Sequence, residues 1–178
     1  MIRGCAKGDS TYQKILYEKY YSILMKVAFR YVSTYEQTLE STQNGFLKIF
    51  HELIRSGFDH YEISKETVLA WIKKTFIKTI VDHMKSALDL YKPRPIPRDI
   101  WKEYDGPFTD SEMKQIKLIK ILKGLPTIYR LVFNMYVMDG FTHCEIAGLL
   151  GISVENSKQN LIRAREFLNK SFAREKYV

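Results

Sequence analysis

The sequence has few cysteines and no long apolar run, and both deficits narrow the class of protein. Cys5 and Cys144 are the only cysteines among 178 residues, so we do not expect a fold held by disulfides. No run approaches the roughly 18 apolar residues of a membrane-spanning helix, and the start, MIRGCAKGDS, lacks the apolar core of a signal peptide. The sequence therefore predicts a cytoplasmic protein.

Residue sets that carry catalysis are also scarce. The histidines are scattered, and the sequence contains no Ser-His-Asp set, metal-ligand cluster or phosphate-cradling glycine loop. His143, Cys144 and Glu145 are consecutive, so their side chains would splay around a helix instead of converging on a metal ion. We expect no enzymatic activity, no cofactor, no bound metal and no small-molecule substrate.

The charge that is present is mostly positive and is concentrated at the two ends. The net charge is +8, with 13 basic and 9 acidic residues in 1–87, 4 and 6 in 88–112, and 11 and 5 in 113–178. Two basic regions joined by a slightly acidic one indicate a polyanionic partner, most simply a nucleic acid. A solvated basic surface is the alternative.

The first half of the chain carries three helical patterns in series, separated from each other by short polar stretches. Their apolar residues recur at intervals of three and four, which is typical of amphipathic helices. The residues are Leu16, Tyr20, Ile23, Leu24, Val27, Tyr31 and Val32, then Leu39, Phe46, Phe50 and Leu53, then Leu69, Trp71, Ile72, Phe76, Ile80 and Met84. Three helices of this kind can share one small core.

Four of the five prolines lie in the stretch YKPRPIPRDIWKEYDGP, residues 91–107. Proline lacks a donor N–H and disfavours helix in the residue before it, so this stretch predicts a linker. The pattern after it, with Ile116, Ile119 and Leu122, is helical again, and so is the one with Ile128, Val132, Met135 and Tyr136. We predict an all-α protein with two small helical domains, 1–87 and 113–178, joined by a linker at 88–112.

The stretch THCEIAGLLGISVENSKQNLIRAR, residues 142–165, predicts two helices joined by a tight turn. Thr142 and Glu145 have the spacing of a capping box, and Gly151 suits the left-handed conformation that ends a helix. Ser153 is placed to cap the second helix. This arrangement predicts a helix-turn-helix.

The second helix of this hairpin separates apolar from polar residues. The predicted inward face consists of Val154, Ser157, Leu161, Ala164 and Leu168. The outward and flanking positions carry side chains able to donate to phosphates or base edges, namely Asn156, Lys158, Gln159, Asn160, Arg163 and Arg165. These local features favour DNA binding, and a helical hairpin with a merely solvated polar face is the alternative.

Beyond the hairpin, LPTIYRLVFNMYVMDGFTHCEIAGLLGISVENSKQNLIRAREFL resembles the −35-binding domain of extracytoplasmic-function sigma factors of RNA polymerase. GCAKGDSTYQKILYEKYYSILMKVAFRYV, QNGFLKIF and AWIKKTFIKTIVDHMK resemble the helices of that family's other domain, in the same order. The subtype most resembled is the one abundant in Bacteroidota. The resemblance implies a subunit that binds core RNA polymerase, recognises −35 and −10 promoter elements and helps to open the duplex.

By position, the resemblance assigns three sets of residues. The −35-binding set is Lys158, Gln159, Asn160, Arg163 and Arg165. The −10-binding set is Phe58, His60, Tyr61, Lys73, Lys74, Lys78 and Lys85, and the polymerase-binding set is Glu40, Gln43, Asn44, Phe46 and Phe50. Core packing is the alternative for Phe46 and Phe50, because both lie on the apolar stripe.

The resemblance also implies partners: core RNA polymerase, promoter DNA and a membrane-attached anti-sigma factor. The main rival interpretation is a helix-turn-helix regulator that never joins core polymerase. A third is a helical adaptor that binds only proteins and therefore shows no salt-dependent affinity for DNA.

Overall fold

The computed structural model describes residues 1–56, 65–86 and 118–175, and every regular element within these ranges is helical. The elements are α1 (Ile2–Ala6), α2 (Ser10–Tyr31), α3 (Tyr35–Ser56), α4 (Lys65–Ser86), α5 (within 118–123), α6 (Thr127–Phe133), a π-helical turn (Asn134–Met138), α7 (His143–Leu150) and α8 (Val154–Glu175). The prediction of an all-helical fold is confirmed.

The chain separates into two compact units. The first holds Met1–Val32 and Glu36–His83, and the second holds Ser33–Tyr35 and Met84–Val178. The predicted linker at 88–112 lies outside the described residues, so its bounds and those of the two predicted domains stay a prediction.

The helices of the first unit start and pack as their sequence dictates. The carboxylate of Asp9 accepts a hydrogen bond from the Thr11 N–H at 2.8 Å and so caps α2. Leu16, Leu24 and Tyr31 are fully buried along one stripe of α2, as the spacing predicts. This stripe forms the α2 side of the core.

Two close contacts join α3 to its neighbours in the first unit. A Cβ atom added to Gly45 would overlap the ring of Phe76 on α4, so only glycine lets these two helices approach so closely. On the α2 side, the Tyr17 and Phe46 ring centroids lie 4.5 Å apart, and the Thr42 Oγ1 lies 3.2 Å from the Met25 Sδ. Helix α3 is therefore packed on both sides.

The second unit contains a core of residues from α6, the π-helical turn and the hairpin. Ile128, Val132 and Met135 are fully buried, as predicted. Tyr136, predicted to belong to the same apolar face, is exposed. The π-helical turn explains the difference: the Asp139 N–H donates to the Asn134 carbonyl, five residues back, and this wider turn breaks the 3.6-residue period.

Candidate nucleic-acid and polymerase interfaces

The hairpin α7–α8 has the local geometry of a helix-turn-helix. The Thr142 Oγ1 accepts from the Glu145 N–H at 3.2 Å, and the Glu145 Oε2 accepts from the Thr142 N–H at 2.8 Å. These two bonds make the predicted capping box. Gly151 has φ 67°, in the left-handed region, and the Ser153 hydroxyl accepts from the Asn156 N–H at 3.0 Å. The predicted helix ends and caps are confirmed.

The inner stripe of α8 differs from the prediction at Val154, which is exposed, and at Asn160, which is buried. Ser157, Leu161, Ala164 and Leu168 are buried as expected. Val154 is exposed, because it is the first residue of α8 and precedes the part of the stripe that is packed.

Asn160 was predicted to lie among the outward and flanking residues of α8, and the structure instead buries it. Its residue surface is only 6% exposed. Asn160 follows Ser157 by three residues and precedes Ala164 by four, so it lies on the edge of the buried stripe. A polar residue type alone did not reveal this position.

The exposed surface of α8 carries the other four predicted −35 residues: Lys158, Gln159, Arg163 and Arg165. Lys158 and Arg165 are seven residues apart, so they lie on the same side of the helix, two turns from each other. Arg163 follows Lys158 by five residues and therefore lies on the other side. The cations of α8 thus flank its outermost line of residues on both sides.

Each side of α8 has a neighbour that the sequence did not single out as a binding group. The Arg163 Nη1 donates to the hydroxyl of Tyr129 on α6 at 3.3 Å. This bond raises the pKa of Arg163 above its usual value. On the other side lies His143, whose pKa is lowered by burial and then by the charges of Lys158 and Arg165. Both neighbours are distant in sequence, so no local spacing could reveal them.

Glu155 holds two of the predicted base-contacting residues. Its carboxylate lies 3.9 Å from the Lys158 Nζ, and it accepts from the Gln159 Nε2 at 3.3 Å. All three side chains lie on the exposed surface of α8, and exposed pairs of this kind are worth only about 0.3–0.5 kcal/mol. Lys158 and Gln159 are therefore free to exchange this partner for another.

On α3, the predicted polymerase-binding residues fall into two groups. Glu40 and Gln43 are exposed, whereas Phe46 is only 2% exposed and packs against Tyr17. Phe50 is half-buried, with its ring 6.0 Å from that of Phe46, and the Asn44 Nδ2 lies 3.4 Å from the His83 Nε2 of α4. The structure brings Glu40 and Gln43 to the surface together and places Phe46 in the core.

Two exposed apolar residues on α3 escaped the sequence analysis. Leu47 is 67% exposed and Ile54 is 50% exposed. They are seven residues apart, and Leu47 follows Gln43 by four, so Glu40, Gln43, Leu47 and Ile54 form one outer face of α3 opposite its buried stripe. The signal in the sequence was an apolar residue on the polar side of an amphipathic helix.

Beside this outer face, α3 carries a compact ion cluster. Glu52 lies between Arg55, whose Nη2 is 2.6 Å away, and Lys48, whose Nζ is 3.0 Å away. The hydrogen bonds from Arg55 and then Lys48 lower the pKa of Glu52 to about 2. This carboxylate is therefore ionised at any physiological pH.

Of the predicted −10 residues, the four lysines belong to α4. Lys74, Lys78 and Lys85 follow one another by four and seven residues, which places them along one side of the helix, whereas Lys73 lies next to the buried Ile72 on a different side. Lys78 is exposed and the others are half-buried. The predicted stacking residues Phe58, His60 and Tyr61 lie outside the described residues.

The described part of the chain lacks the features of a membrane span and of a metal site. Within 1–56, 65–86 and 118–175, no helix combines the length and apolar character needed to cross a bilayer. The same ranges hold no group of three His, Cys, Asp or Glu residues suited to a metal ion.

Comparison with known proteins gives a family match for the second unit and similar solved structures for the whole chain. Residues 115–168 match the family model described as Sigma-70, region 4, so the helix-turn-helix of the second unit is of the sigma-70 region 4 type. Among solved structures, the chain is similar to one described as CnrH in complex with the cytosolic domain of CnrY, with 17% sequence identity and a TM-score of 0.52. That match covers 97% of this chain and 94% of the other, and it shows a shared fold. No curated protein sequence matches the chain.

Proposed function

We propose that this protein is a sigma factor of the extracytoplasmic-function type, which binds core RNA polymerase and directs it to promoters through −35 and −10 elements. The observation that carries this proposal is that the region 4 match and the exposed set of predicted −35 residues fall on the same helix-turn-helix. The region 4 match at 115–168 contains a capped helix-turn-helix whose second helix exposes four of the predicted −35 residues. A fold shared with CnrH along 97% of the chain supports a function that uses both units. The Bacteroidota subtype stays a prediction from the sequence.

For −35 binding, we propose that α8 enters the major groove with Lys158, Gln159, Arg163 and Arg165 toward the DNA. Lysine and arginine suit phosphates and guanine, and glutamine suits adenine, with about 1–3 kcal/mol of discrimination for a good base contact. Asn160 takes no direct part in this proposal, because it is buried at the edge of the inner stripe.

For polymerase binding, the outer face of α3 is the proposed contact. Glu40 and Gln43 supply polar groups, and Leu47 and Ile54 supply apolar area that is costly to leave in water, at about 25 cal/mol per Å². A protein partner that covers this face would remove that area from water. Phe46 does not contact the partner in this proposal and instead supports α3 by packing it on α2. Asn44 is positioned by its contact with His83.

For the −10 element, we propose that Lys74, Lys78 and Lys85 contact the backbone of the opening duplex along one side of α4. Each phosphate contact adds salt-dependent affinity without sequence information. Lys73 is a candidate for a separate contact, and Phe58, His60 and Tyr61 are the candidates for stacking on an extruded base.

An inhibitory protein partner is also proposed. The structure similar to this chain holds CnrH in complex with the cytosolic domain of CnrY, and the two folds match over nearly their full lengths. We infer that this chain is likewise held by the cytosolic domain of an anti-sigma factor, which is attached to the membrane.

The deciding experiment is assembly with core RNA polymerase. We expect the purified chain to co-elute with core polymerase in gel filtration and to support specific transcripts from promoters mapped by transcript start sites after its overproduction. Failure of both would favour a helix-turn-helix regulator that does not join polymerase. Absence of salt-dependent DNA affinity, with core polymerase present, would favour an adaptor that binds only proteins.

A matched pair of variants localises the polymerase contact. Leu47→Asp places a charge in the middle of the outer face of α3, and we expect core affinity to fall by about tenfold or more, equivalent to about 1.4 kcal/mol. Ile15→Asp, on the exposed side of α2, is the control and should leave core affinity within about twofold, since surface changes away from a contact act within about 0.5 kcal/mol. Equal effects of the two variants would exclude the outer face of α3 as the specific contact.

A further inference from the structure

His143 is the first residue of α7 and contacts both α8 and the π-helical turn. Its Nδ1 lies 2.9 Å from the hydroxyl of Ser157, which is fully buried on α8. Its ring stacks on that of Tyr136 with centroids 4.3 Å apart and an interplanar angle of 19°. The imidazole is therefore fixed in place while remaining partly exposed to solvent.

The charged groups that act on this imidazole from α8 are both cations, Lys158 and Arg165. On its own helix, the nearest carboxylate is that of Glu145, which is already bonded to the N–H and the hydroxyl of Thr142. From the π-helical turn the contact is the neutral ring of Tyr136. Lys158 is loosely paired with Glu155, whose carboxylate lies 3.9 Å from its Nζ. Lys158 and Arg165 are the charged groups that act on His143, and both attract an anion.

We propose that His143 is a proton-linked contact for a DNA backbone phosphate, which it binds together with Lys158 and Arg165 on one side of α8. This inference rests on the proposed function and adds to it a residue of α7 that takes up a proton from the solvent when the duplex docks. The ligand is a phosphodiester of the duplex, because α8 carries the groups proposed to enter the major groove next to it.

The hydrogen bonds of His143 allow this protonation without rearrangement. A hydroxyl both donates and accepts, so Ser157 can donate to a neutral Nδ1 or accept from a protonated one. Within the described part of the chain, Nε2 makes no hydrogen bond, so its N–H is available to donate to a phosphate oxygen. A charged donor of this kind makes a stronger bond to phosphate than a neutral one.

The direction of the pKa shift supports the coupling. In the free protein, burial and then the two neighbouring cations lower the pKa of His143 and so favour the neutral imidazole. A phosphate between the three groups would offset the repulsion and raise the pKa again. DNA affinity should therefore increase as the pH falls, and each unit by which binding raises this pKa corresponds to about a tenfold preference for the protonated state.

The first experiment is an NMR titration of the histidine imidazoles of the full chain at low salt, with and without a duplex of about 20 base pairs of mixed sequence. The signal missing from His143→Gln identifies His143 in the spectrum. We expect saturating duplex to raise the pKa of His143 by about half a unit or more. An unchanged or lowered pKa would overturn the inference. Inorganic phosphate at the same phosphate concentration is the comparison, and an equal shift would overturn the assignment to DNA in favour of a free anion.

The second experiment measures affinity for the same duplex by fluorescence anisotropy at pH 6.0 and 7.5. The unmodified chain should bind about twofold tighter or more at pH 6.0, and His143→Gln should lose that difference. His51→Gln, an exposed histidine of α3, is the control and should keep it. A pH dependence that survives in His143→Gln, or no duplex binding at either pH, would overturn the inference. Co-elution with core polymerase would still support the proposed function in that case.

Discussion

Helices α3 and α8 have the same length, 22 residues, and the same amphipathic plan, yet their exposed surfaces differ in charge. The outer face of α3 presents Leu47 and Ile54 beside Glu40 and Gln43, whereas α8 exposes cations and amides around the apolar Ile162 and Phe167. An apolar face suits a protein partner, and a cationic one suits a polyanion. In an all-helical protein, the exposed residues of a helix therefore distinguish the kinds of partner better than its length or buried stripe does.

The largest expected effect comes from removing the support of α3. Gly45→Ala adds a Cβ atom that overlaps the Phe76 ring, and overpacking of this kind costs about 1–3 kcal/mol. Chemical denaturation followed by a probe in each unit should show the first unit destabilised and the second unchanged. Core binding should weaken while duplex binding by α8 persists.

The matched control for this prediction is Gly148→Ala on α7. A Cβ atom there meets nothing within 4 Å, and the residue is exposed within a helix. Alanine should be neutral or stabilise the second unit by about 0.4–1 kcal/mol, because it restricts the unfolded chain. Equal destabilisation by both changes would contradict the proposed close approach of α3 and α4.

The next prediction separates the proposed DNA contact of α8 from the proposed polymerase contact of α3. Arg163→Ala should weaken −35 binding by about 1–3 kcal/mol if the guanidinium contacts a base, and leave core affinity intact. Electrophoretic mobility shifts with a mapped promoter would measure the first, and gel filtration the second. Loss of core binding instead would show that the two helices do not divide the work in this way.

Lys158→Ala tests the other side of α8 and offers a different signature. If Lys158 contacts a phosphate, affinity should fall about equally for all sequences, and the slope of log affinity against log salt should decrease by about one. Gln159→Ala, the adjacent neutral residue, should leave that slope unchanged. A sequence-selective loss in Lys158→Ala would indicate a base contact.

A smaller effect is expected from the cap that starts the hairpin. Thr142→Ala removes the hydroxyl that accepts from the Glu145 N–H, which should cost about 0.5–2 kcal/mol of stability in the second unit. Thr11→Ala is the comparison: its N–H, not its hydroxyl, bonds to Asp9, so we expect a change within about 0.5 kcal/mol. Thermal denaturation of the two variants would reveal the difference.

The last prediction concerns a buried cation of the second unit and a change with pH. Burial, and then the charge of Arg130, lower the pKa of Lys123 to about 8, from 10.5 in the unfolded chain. Because the folded form releases this proton first, the free energy of unfolding should rise with pH between about 8 and 10.5 and lose that gain below 8. Lys123→Met should remove this component. Chemical denaturation of both proteins at pH 7.5 and 10 gives the change in the free energy of unfolding between these pH values. An equal change in the two proteins would contradict the prediction.

Local signals in the sequence predicted much of the hairpin correctly. The capping box, the left-handed Gly151 and four of the five inner positions of α8 depend on residues within one or two turns of each other. The errors arose where packing at a distance decides. Asn160 and Tyr136 were misplaced because the width of the buried stripe and the π-helical turn depend on neighbouring elements.

Packing between distant elements also explains why some residues of the candidate sites could not be predicted from the sequence. Tyr129 is 34 residues from Arg163, and His143 is 14 from Ser157, so no periodic pattern connects these pairs. Leu47 looked like an ordinary helix residue until its 67% exposure set it apart from the core of α3. A site made of contacts between elements needs the fold before it can be found.

The close approach at Gly45 also has a mechanical consequence for the proposed function. Gly45 of α3 packs against the Phe76 ring of α4, and the neighbouring Asn44 contacts His83. Two successive residues of α3 therefore contact α4. If a bound polymerase displaced α3, α4 and its lysines would therefore move with it. Under the proposed function, polymerase binding by α3 and the −10 contacts of α4 would both depend on the close packing at Gly45.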